Sequence, residues 1–392
     1  MILSAKMSKL GTETAFDVLA RAGQLSDAGM DVINLGIGQP DFPTPDNIVK
    51  AGIQALKDGH HGYTASNGIP ALREAVAADI HKYRNVEVSP LQIMIMPGGK
   101  VTMSFAIEMF GEQGAEILYP NPGFPIYESM IRYSGATPVP MALLEENGFS
   151  FDADQVLSLI TDKTRLIILN TPANPTGGIV EKAELAKLAN GLKGHPNVYI
   201  LSDEIYSRLT YDGLTHCSLL SFPEIRDRLI VLDGWSKTYA MTGWRLGWGL
   251  WPEQLIPHVN RLCVNYHSCV NASAQYAGIA ALTGDQSPVD EMLQAFNERR
   301  LLIHDRLNQM PGVSCILPKG AFYAFANIKG TGQTSKQMQD LLLEKEGVAT
   351  IAGTSFGADG EGYIRFSYAN SLDNINRAMD RTDALTRNLM GQ

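Results

Sequence analysis

Short runs that are apolar on both faces recur along the first two thirds of the chain: "IMIM" (93–96), "EILYP" (116–120), "RLIILN" (165–170), "VYILSD" (198–203), "RLIVLD" (228–233) and "RLGWGL" (245–250). Most are separated by segments of helical period, at 100–110, 125–134 and 181–192. An amphipathic segment at 12–28 precedes them, followed by "TPDNIVKAGIQALKDG", with a Thr-Pro start and Gly59 at its end, and by "IPALREAVAADIHKY". Strands apolar on both faces with crossover helices between them predict an α/β fold built on a mostly parallel sheet covered on both sides. From about residue 290 the pattern changes to a long helix, short strands at 313–317 and 322–326, a helix at 335–346, the strand "YIRFS" and a terminal helix. This predicts a large domain over 46–289 and a smaller α+β domain built from 1–45 plus 290–392.

The 392 residues suffice for two domains with sizeable cores, and 45% hydrophobic residues is ordinary for a globular chain. Lys plus Arg number 32 against 41 Asp plus Glu, a net charge of -9, and no basic run could track a phosphate backbone, so nucleic acid is not expected as a partner. Cys217, Cys263, Cys269 and Cys315 show neither metal-pair nor disulfide-framework spacing and read as reduced thiols. Without a signal-like apolar segment near the start or a stretch that spans a bilayer, the expected location is the cytoplasm, with no membrane partner.

In open α/β sheets ligands bind beyond the carboxyl ends of the strands. Polar residues end four of the predicted strands: Asp203 followed by Tyr206, Asn170 followed by Asn174, Ser236 with Lys237, and the Gly98-Gly99 turn before Lys100. That turn is not a Walker A loop, because Val101 stands where Ser or Thr would hold magnesium, but its backbone N–H groups can still bind phosphate at a helix start. "GIGQPD" (36–41) fails as a dinucleotide fingerprint, since Asp41 replaces the third glycine. No metal-ligand spacing and no G-x-S-x-G elbow occur. Taken singly, Asp203 and Glu204 read as a loop-capping pair, Tyr206 as a core aromatic, Asn174 as a turn former and Arg245 as a surface arginine. Taken together, a lysine able to form a Schiff base, a strand-end carboxylate, a phosphate turn and an arginine near the lysine are what pyridoxal phosphate needs.

"NTPANPTGG", "SDEIY", "WSKTYAMTGWRLGW" and "YIRFSYAN" together resemble the class I aminotransferases, the aspartate aminotransferase superfamily of fold type I pyridoxal-phosphate enzymes. The resemblance implies that Lys237 carries the cofactor and moves the proton, and that Asp203 pairs with the ring nitrogen. It implies that Tyr206 and Asn174 bond the ring hydroxyl and that Phe124 of "NPGFPIY" stacks on the ring. Ser236, Arg245, Gly99 and Lys100 would bind the phosphate. Arg365, helped by Gly38 and Asn174, would hold the substrate α-carboxylate, a role its planar guanidinium suits. Tyr63 of "HHGYTASNG" matches a tyrosine that reaches the neighbouring subunit's phosphate, which implies a homodimer with shared sites.

Two departures bear on the substrate. "VNYHSCVNAS" (264–273) lacks the arginine with which some dicarboxylate-specific members reach across the dimer, whereas Lys100 stands where another branch reads the distal carboxylate. Glu13, near where that branch has small hydroxyl residues, acts against an acidic substrate. The turn "EQGAE" (112–116) also departs from the usual Pro-Gly-Asp and concerns only a loop. The first expectation is transfer from aspartate or glutamate to a 2-oxo acid such as 2-oxoglutarate. The alternatives are an aminotransferase for aromatic or small neutral amino acids and a cysteine-conjugate β-lyase on the same scaffold. An effector-binding module is the reading outside enzymes, and the roughly ten residues ahead of the resemblance leave no room for its DNA-binding partner.

Overall fold

The computed structural model describes residues 3–392. A seven-stranded sheet runs in the order Ile93–Met96, Gly247–Leu250, Leu229–Gly234, Tyr199–Asp203, Thr164–Asn170, Glu116–Asn121, Thr137–Ala142. The last five are mutually parallel. Gly247–Leu250 runs antiparallel to both of its neighbours.

The strands' alternation sorts their side chains into two apolar cores. Met94, Met96, Ile117, Ile168, Leu201 and Ile230 pack with Phe105 and Ile107 of the helix Gly99–Phe110. Ile93, Ile95, Leu118, Ile167, Ile200 and Val231 pack with Leu72, Val76 and Ile80 of the helix Pro70–Arg84 and with Leu185 and Leu188 of the helix Lys182–Gly191. Both faces are thereby covered, as the runs without polar alternation require.

A third cluster draws on both ends of the chain. Ile33 and Leu35 join Phe296, Phe322, Ile364 and Ile375. Ile33–Asn34 pairs in parallel with Val348–Ala349, and Tyr363–Ser367 lies antiparallel between Tyr323–Asn327 and Ile351–Ala352.

Two elements differ from the sequence-based expectation. Thr137–Ala142 is a strand although its sequence is TPVPMA. Its place at the sheet edge tolerates Pro138 and Pro140, because one side of its backbone has no ladder to supply. Residues 313–317 form no strand beyond a single bridge from Ser314 to Asn327. Among the described residues no helix is long and apolar enough to cross a membrane.

The antiparallel strand has a geometric consequence for the site. In a parallel strand the residues just before the first position lie at the amino-end rim. Because Gly247 pairs with Met96 and Gly234, the segment preceding Gly247 instead emerges at the carboxyl-end rim. Arg245 therefore reaches the rim that holds Gly98, Asp203 and Lys237.

Candidate active site

Strand Leu229–Gly234 runs into the four-residue helix Trp235–Thr238, which carries Ser236 and Lys237. Gly234 is required there by close approach, since a Cβ would lie 2.8 Å from the Gly247 Cα. The Lys237 ammonium donates to the Gly38 carbonyl at 2.5 Å and lies about 6 Å from the ring centroids of Tyr206 (6.0 Å) and Phe322 (5.8 Å). Burial, and then the positive charges of Arg365 and Arg245, pull its pKa down to about 8. A substantial share of neutral amine is thus present near neutral pH, as a nucleophilic lysine needs.

Asp203 ends its strand with a carboxylate that accepts from Tyr127 Oη at 2.7 Å and from the Ile205 N–H at 3.2 Å. Among the described residues no cation forms an ion pair with it, and burial raises its pKa to about 6. A buried carboxylate lacking a countercharge favours a cationic ligand group such as a protonated ring nitrogen.

The helix Gly99–Phe110 begins after Gly98 at φ 90°, with no side-chain cap on its first turn. Its leading N–H groups have no intrahelical partners and mark an anion site. A Cβ on Gly98 would sit 2.3 Å from Arg245 Nη2, so the bare turn lets the guanidinium lie against it. Arg245 adopts a left-handed φ of 53° and donates to the Thr242 carbonyl at 2.8 Å. Ser236 is buried in the same wall. Bare amides, a guanidinium and a hydroxyl fit a phosphate monoester.

Arg365 is buried in the strand Tyr363–Ser367 and donates to Asn174 Oδ1 at 2.8 Å and to the Gly36 carbonyl at 2.5 Å. Tyr323 and Phe356 flank it, with ring centroids 4.5 and 4.7 Å from its guanidinium carbon, and its buried Nε has no partner. An orphaned donor on a buried guanidinium suits an incoming carboxylate. Tyr206 Oη and Tyr323 Oη share a hydrogen bond of 2.8 Å beside it, and a Cβ on Gly38 would strike that Tyr323 hydroxyl at 2.3 Å.

These groups line one cavity of about 530 Å³, of a size for a cofactor with its substrate. The opposite wall brings in Phe124 and Lys100, whose ammonium lies 5.3 Å from the Phe124 ring centroid and is ion-paired with Glu13. Every sequence-derived site residue lines this cavity except Tyr63, which is 94% exposed beside His61 and Cys269 on a separate surface depression.

Sequence reasoning missed Tyr127, Tyr323 and Arg84. Tyr127 meets Asp203 across 76 residues with no local signal. Tyr323 was foreshadowed by the alternation in 322–326, which faces it toward the strand of Arg365. Arg84 ends the helix Pro70–Arg84 and is buried behind the site, donating from Nε to Glu204 at 2.8 Å and from Nη2 to Asp233.

The sequence profile described as aminotransferase class I and II matches residues 30–381. An aspartate aminotransferase from Geobacillus stearothermophilus is 36% identical over 387 residues, covering 97% of this chain and 98% of that protein. An aromatic-amino-acid aminotransferase from Thermococcus litoralis is 38% identical over 359 residues, covering 91% and 92%. Among solved structures, an aspartate aminotransferase from Rhizobium meliloti superposes with a TM-score of 0.94 at 30% identity, covering 98% of this chain and 99% of that one. The chain therefore belongs to the class I and II aminotransferases, enzymes that move an amino group between an amino acid and a 2-oxo acid.

Proposed function

We propose that the enzyme works with pyridoxal 5'-phosphate and transfers the amino group of an acidic L-amino acid, aspartate or glutamate, to a 2-oxo acid such as 2-oxoglutarate, as a cytoplasmic homodimer. The observation that carries this reading is the convergence of Lys237, Asp203 and Arg365 on one cavity. Residues 46–289 would form the cofactor-binding unit and 1–45 plus 290–392 the smaller one.

When bound, the cofactor supplies an aldehyde for an amine and a ring that takes up the electron pair left as the substrate Cα–H bond breaks. The chain supplies the rest. The first-turn N–H groups of Gly99 and Lys100, with Ser236 and Arg245, would hold the phosphate. Phe124 would cover the ring, Tyr206 and Asn174 would bond the ring hydroxyl, and Asp203 would keep the ring nitrogen protonated. Arg365, steadied by Asn174 and the Gly36 carbonyl, orients the α-carboxylate with Gly38 alongside. That would set the Cα hydrogen near Lys237 Nζ, which, as the neutral amine freed from the Gly38 carbonyl, would take the proton. Lys100 would meet the distal carboxylate of an acidic substrate. A second reading, a donor with an uncharged or aromatic side chain, is favoured by Glu13, which already neutralises Lys100. Steady-state rates with aspartate, glutamate, alanine and phenylalanine, each paired with 2-oxoglutarate, pyruvate and oxaloacetate, separate the two. Turnover of aspartate or glutamate no faster than of alanine would overturn the acidic reading.

Asp203→Asn gives opposite signs for stability and catalysis. Its folded pKa near 6 lies above the ordinary carboxylate value, so the ionised group opposes folding above that pH, and the opposition is gone below the unfolded pKa. The cofactor-free variant should melt higher than the parent by the equivalent of about 1–3 kcal/mol at pH 7, with the difference vanishing toward pH 4. Its single-turnover rate with an amino acid should nevertheless fall by about 100-fold or more, as general-base work depends on the ring's electron demand. Unchanged turnover would mean that Asp203 does not face the ring.

Tyr63 is expected to act in the neighbouring subunit's site, which accounts for its exposure in the single chain. Mixing Lys237→Ala chains with Tyr63→Ala chains should regenerate one intact site per hybrid dimer, recovering activity above the sum of the separate variants. A fully active monomer in sedimentation would rule this out.

A further inference from the structure

Glu13 stands at the N-cap of the helix Thr14–Asp27, yet its carboxylate makes no capping bond to that helix. It instead reaches across the cavity to the Lys100 ammonium, which belongs to the helix Gly99–Phe110 on the other side. The pair is unevenly buried: the Glu13 side chain is 15% exposed and that of Lys100 44%. Residues 3–12 are exposed, and they are tied down by a Gly11 N–H donated to Ser129 Oγ at 2.8 Å and by Lys6 over the Tyr133 ring at 4.7 Å. Glu13 lines the same cavity as Lys237, Tyr323 and Arg365.

We propose that Glu13 is a specificity-determining residue: its tethered carboxylate occupies Lys100 in the substrate-free enzyme, and a substrate with a side-chain carboxylate binds by displacing it. This rests on the reading of Lys100 as the contact for a distal carboxylate. A lysine in the cavity that already holds a carboxylate has the chemistry to accept another one, and Glu13 is an internal competitor whose local concentration is fixed by the chain. An acidic donor gains Lys100 only by losing the Glu13–Lys100 pair, and it leaves the Glu13 carboxylate uncompensated close to its own. A donor with an uncharged side chain leaves the pair in place. The enzyme thereby handles acidic and uncharged donors with more nearly equal efficiency than a free Lys100 would allow, because the repulsion between Glu13 and the incoming carboxylate offsets the attraction to Lys100.

The test is equilibrium binding of succinate and butyrate, two unreactive acids that differ in one terminal carboxylate, to the cofactor-loaded enzyme by calorimetry. Glu13→Ser and Glu13→Gln should each raise the succinate-to-butyrate affinity ratio at least tenfold over the parent, the glutamine variant guarding against a packing defect in the serine one. The gain should disappear when Lys100→Met is added. In steady state, the same variants should raise kcat/KM for aspartate relative to alanine by a similar factor, chiefly through KM. If Lys100→Met lowers the ratio while neither Glu13 variant raises it, Lys100 reads the distal carboxylate and Glu13 does not compete, which overturns the proposal alone. If neither position moves the ratio, the reading of Lys100 fails and takes the proposal with it.

Discussion

Lys237→Ala is expected to fold, to retain cofactor through its phosphate and ring contacts, and to lose transamination by at least about 10⁴-fold, the range set by removing a general base together with a nucleophile. The proposed phosphate cradle at Gly98–Lys100, Ser236 and Arg245 does not involve the Lys237 side chain, so occupancy should persist while chemistry stops. Borohydride reduction of the parent, followed by peptide mapping, should place the pyridoxyl label on Lys237. A label on any other lysine would remove the assignment. The pH dependence follows from the amine. Its pKa, lowered to about 8, means that the neutral form grows through pH 7 and 8 and saturates above, so cofactor capture by the cofactor-free parent should accelerate over that window and then level off. A capture rate that rises only near pH 10 would show that Lys237 sits in a more solvated place than the cavity provides.

The second large effect is on stability. Arg84 is buried and bridges two buried carboxylates on adjacent strand ends, Glu204 and Asp233, while Trp248 lies 5.5 Å beneath its guanidinium. Ser202 and Ser218 donate to Glu204 at 3.1 and 2.7 Å, and Ser207 and the Gly234 N–H donate to Asp233 at 2.8 and 2.6 Å. Burial works against ionisation of Glu204, yet His216 and Arg84 hold its carboxyl well below the usual range. Burial wins at Asp233, whose pKa is raised despite Arg84. Arg84→Met strands both carboxylates without a guanidinium, a loss of about 3–5 kcal/mol for a broken buried ion pair. The melting temperature of the cofactor-free protein should drop by roughly 4–6 °C. Because carboxylates with raised folded pKa values oppose folding only once ionised in the unfolded chain, the loss should be full at pH 7 and should shrink as pH falls toward 4. Arg84→Lys should recover only part of it, since an ammonium cannot span both acceptors in the guanidinium's fork. A melting temperature within 2 °C of the parent would show that the two carboxylates find other partners.

The sequence was most readable where one local rule decides the outcome. The six apolar runs are all strands covered on both faces, and each lies within two residues of where its pattern placed it. The polar residues that terminate them became the cavity because carboxyl strand ends share one rim. Thr137–Ala142 escaped notice because its two prolines are strand breakers anywhere except an edge, and edge position is a property of strand order that no local pattern carries. The direction of Gly247–Leu250 was hidden for the same reason, and with it the cause of Arg245 meeting Gly98. Tyr127 and Arg84 act on partners 76 and 120 or more residues away, where only the assembled fold supplies the proximity. Glu13 and Lys100 were visible as opposing indications about the substrate, and the structure joins them directly.

The edge strand Ile93–Met96 pairs with Gly247–Leu250 alone, and some 150 residues of chain separate the two. On a ribosome adding roughly 5–20 residues per second, Met94 and Ile95 wait about 10–30 s before their ladder partner exists. During that interval Ile93–Met96 has no ladder partner and the Gly98 turn has no arginine beside it, so a chain ending before Gly247 leaves an apolar strand open to edge-to-edge association. The segment from Arg245 to Leu250 supplies both at once, closing the sheet edge and bringing the guanidinium to Gly98.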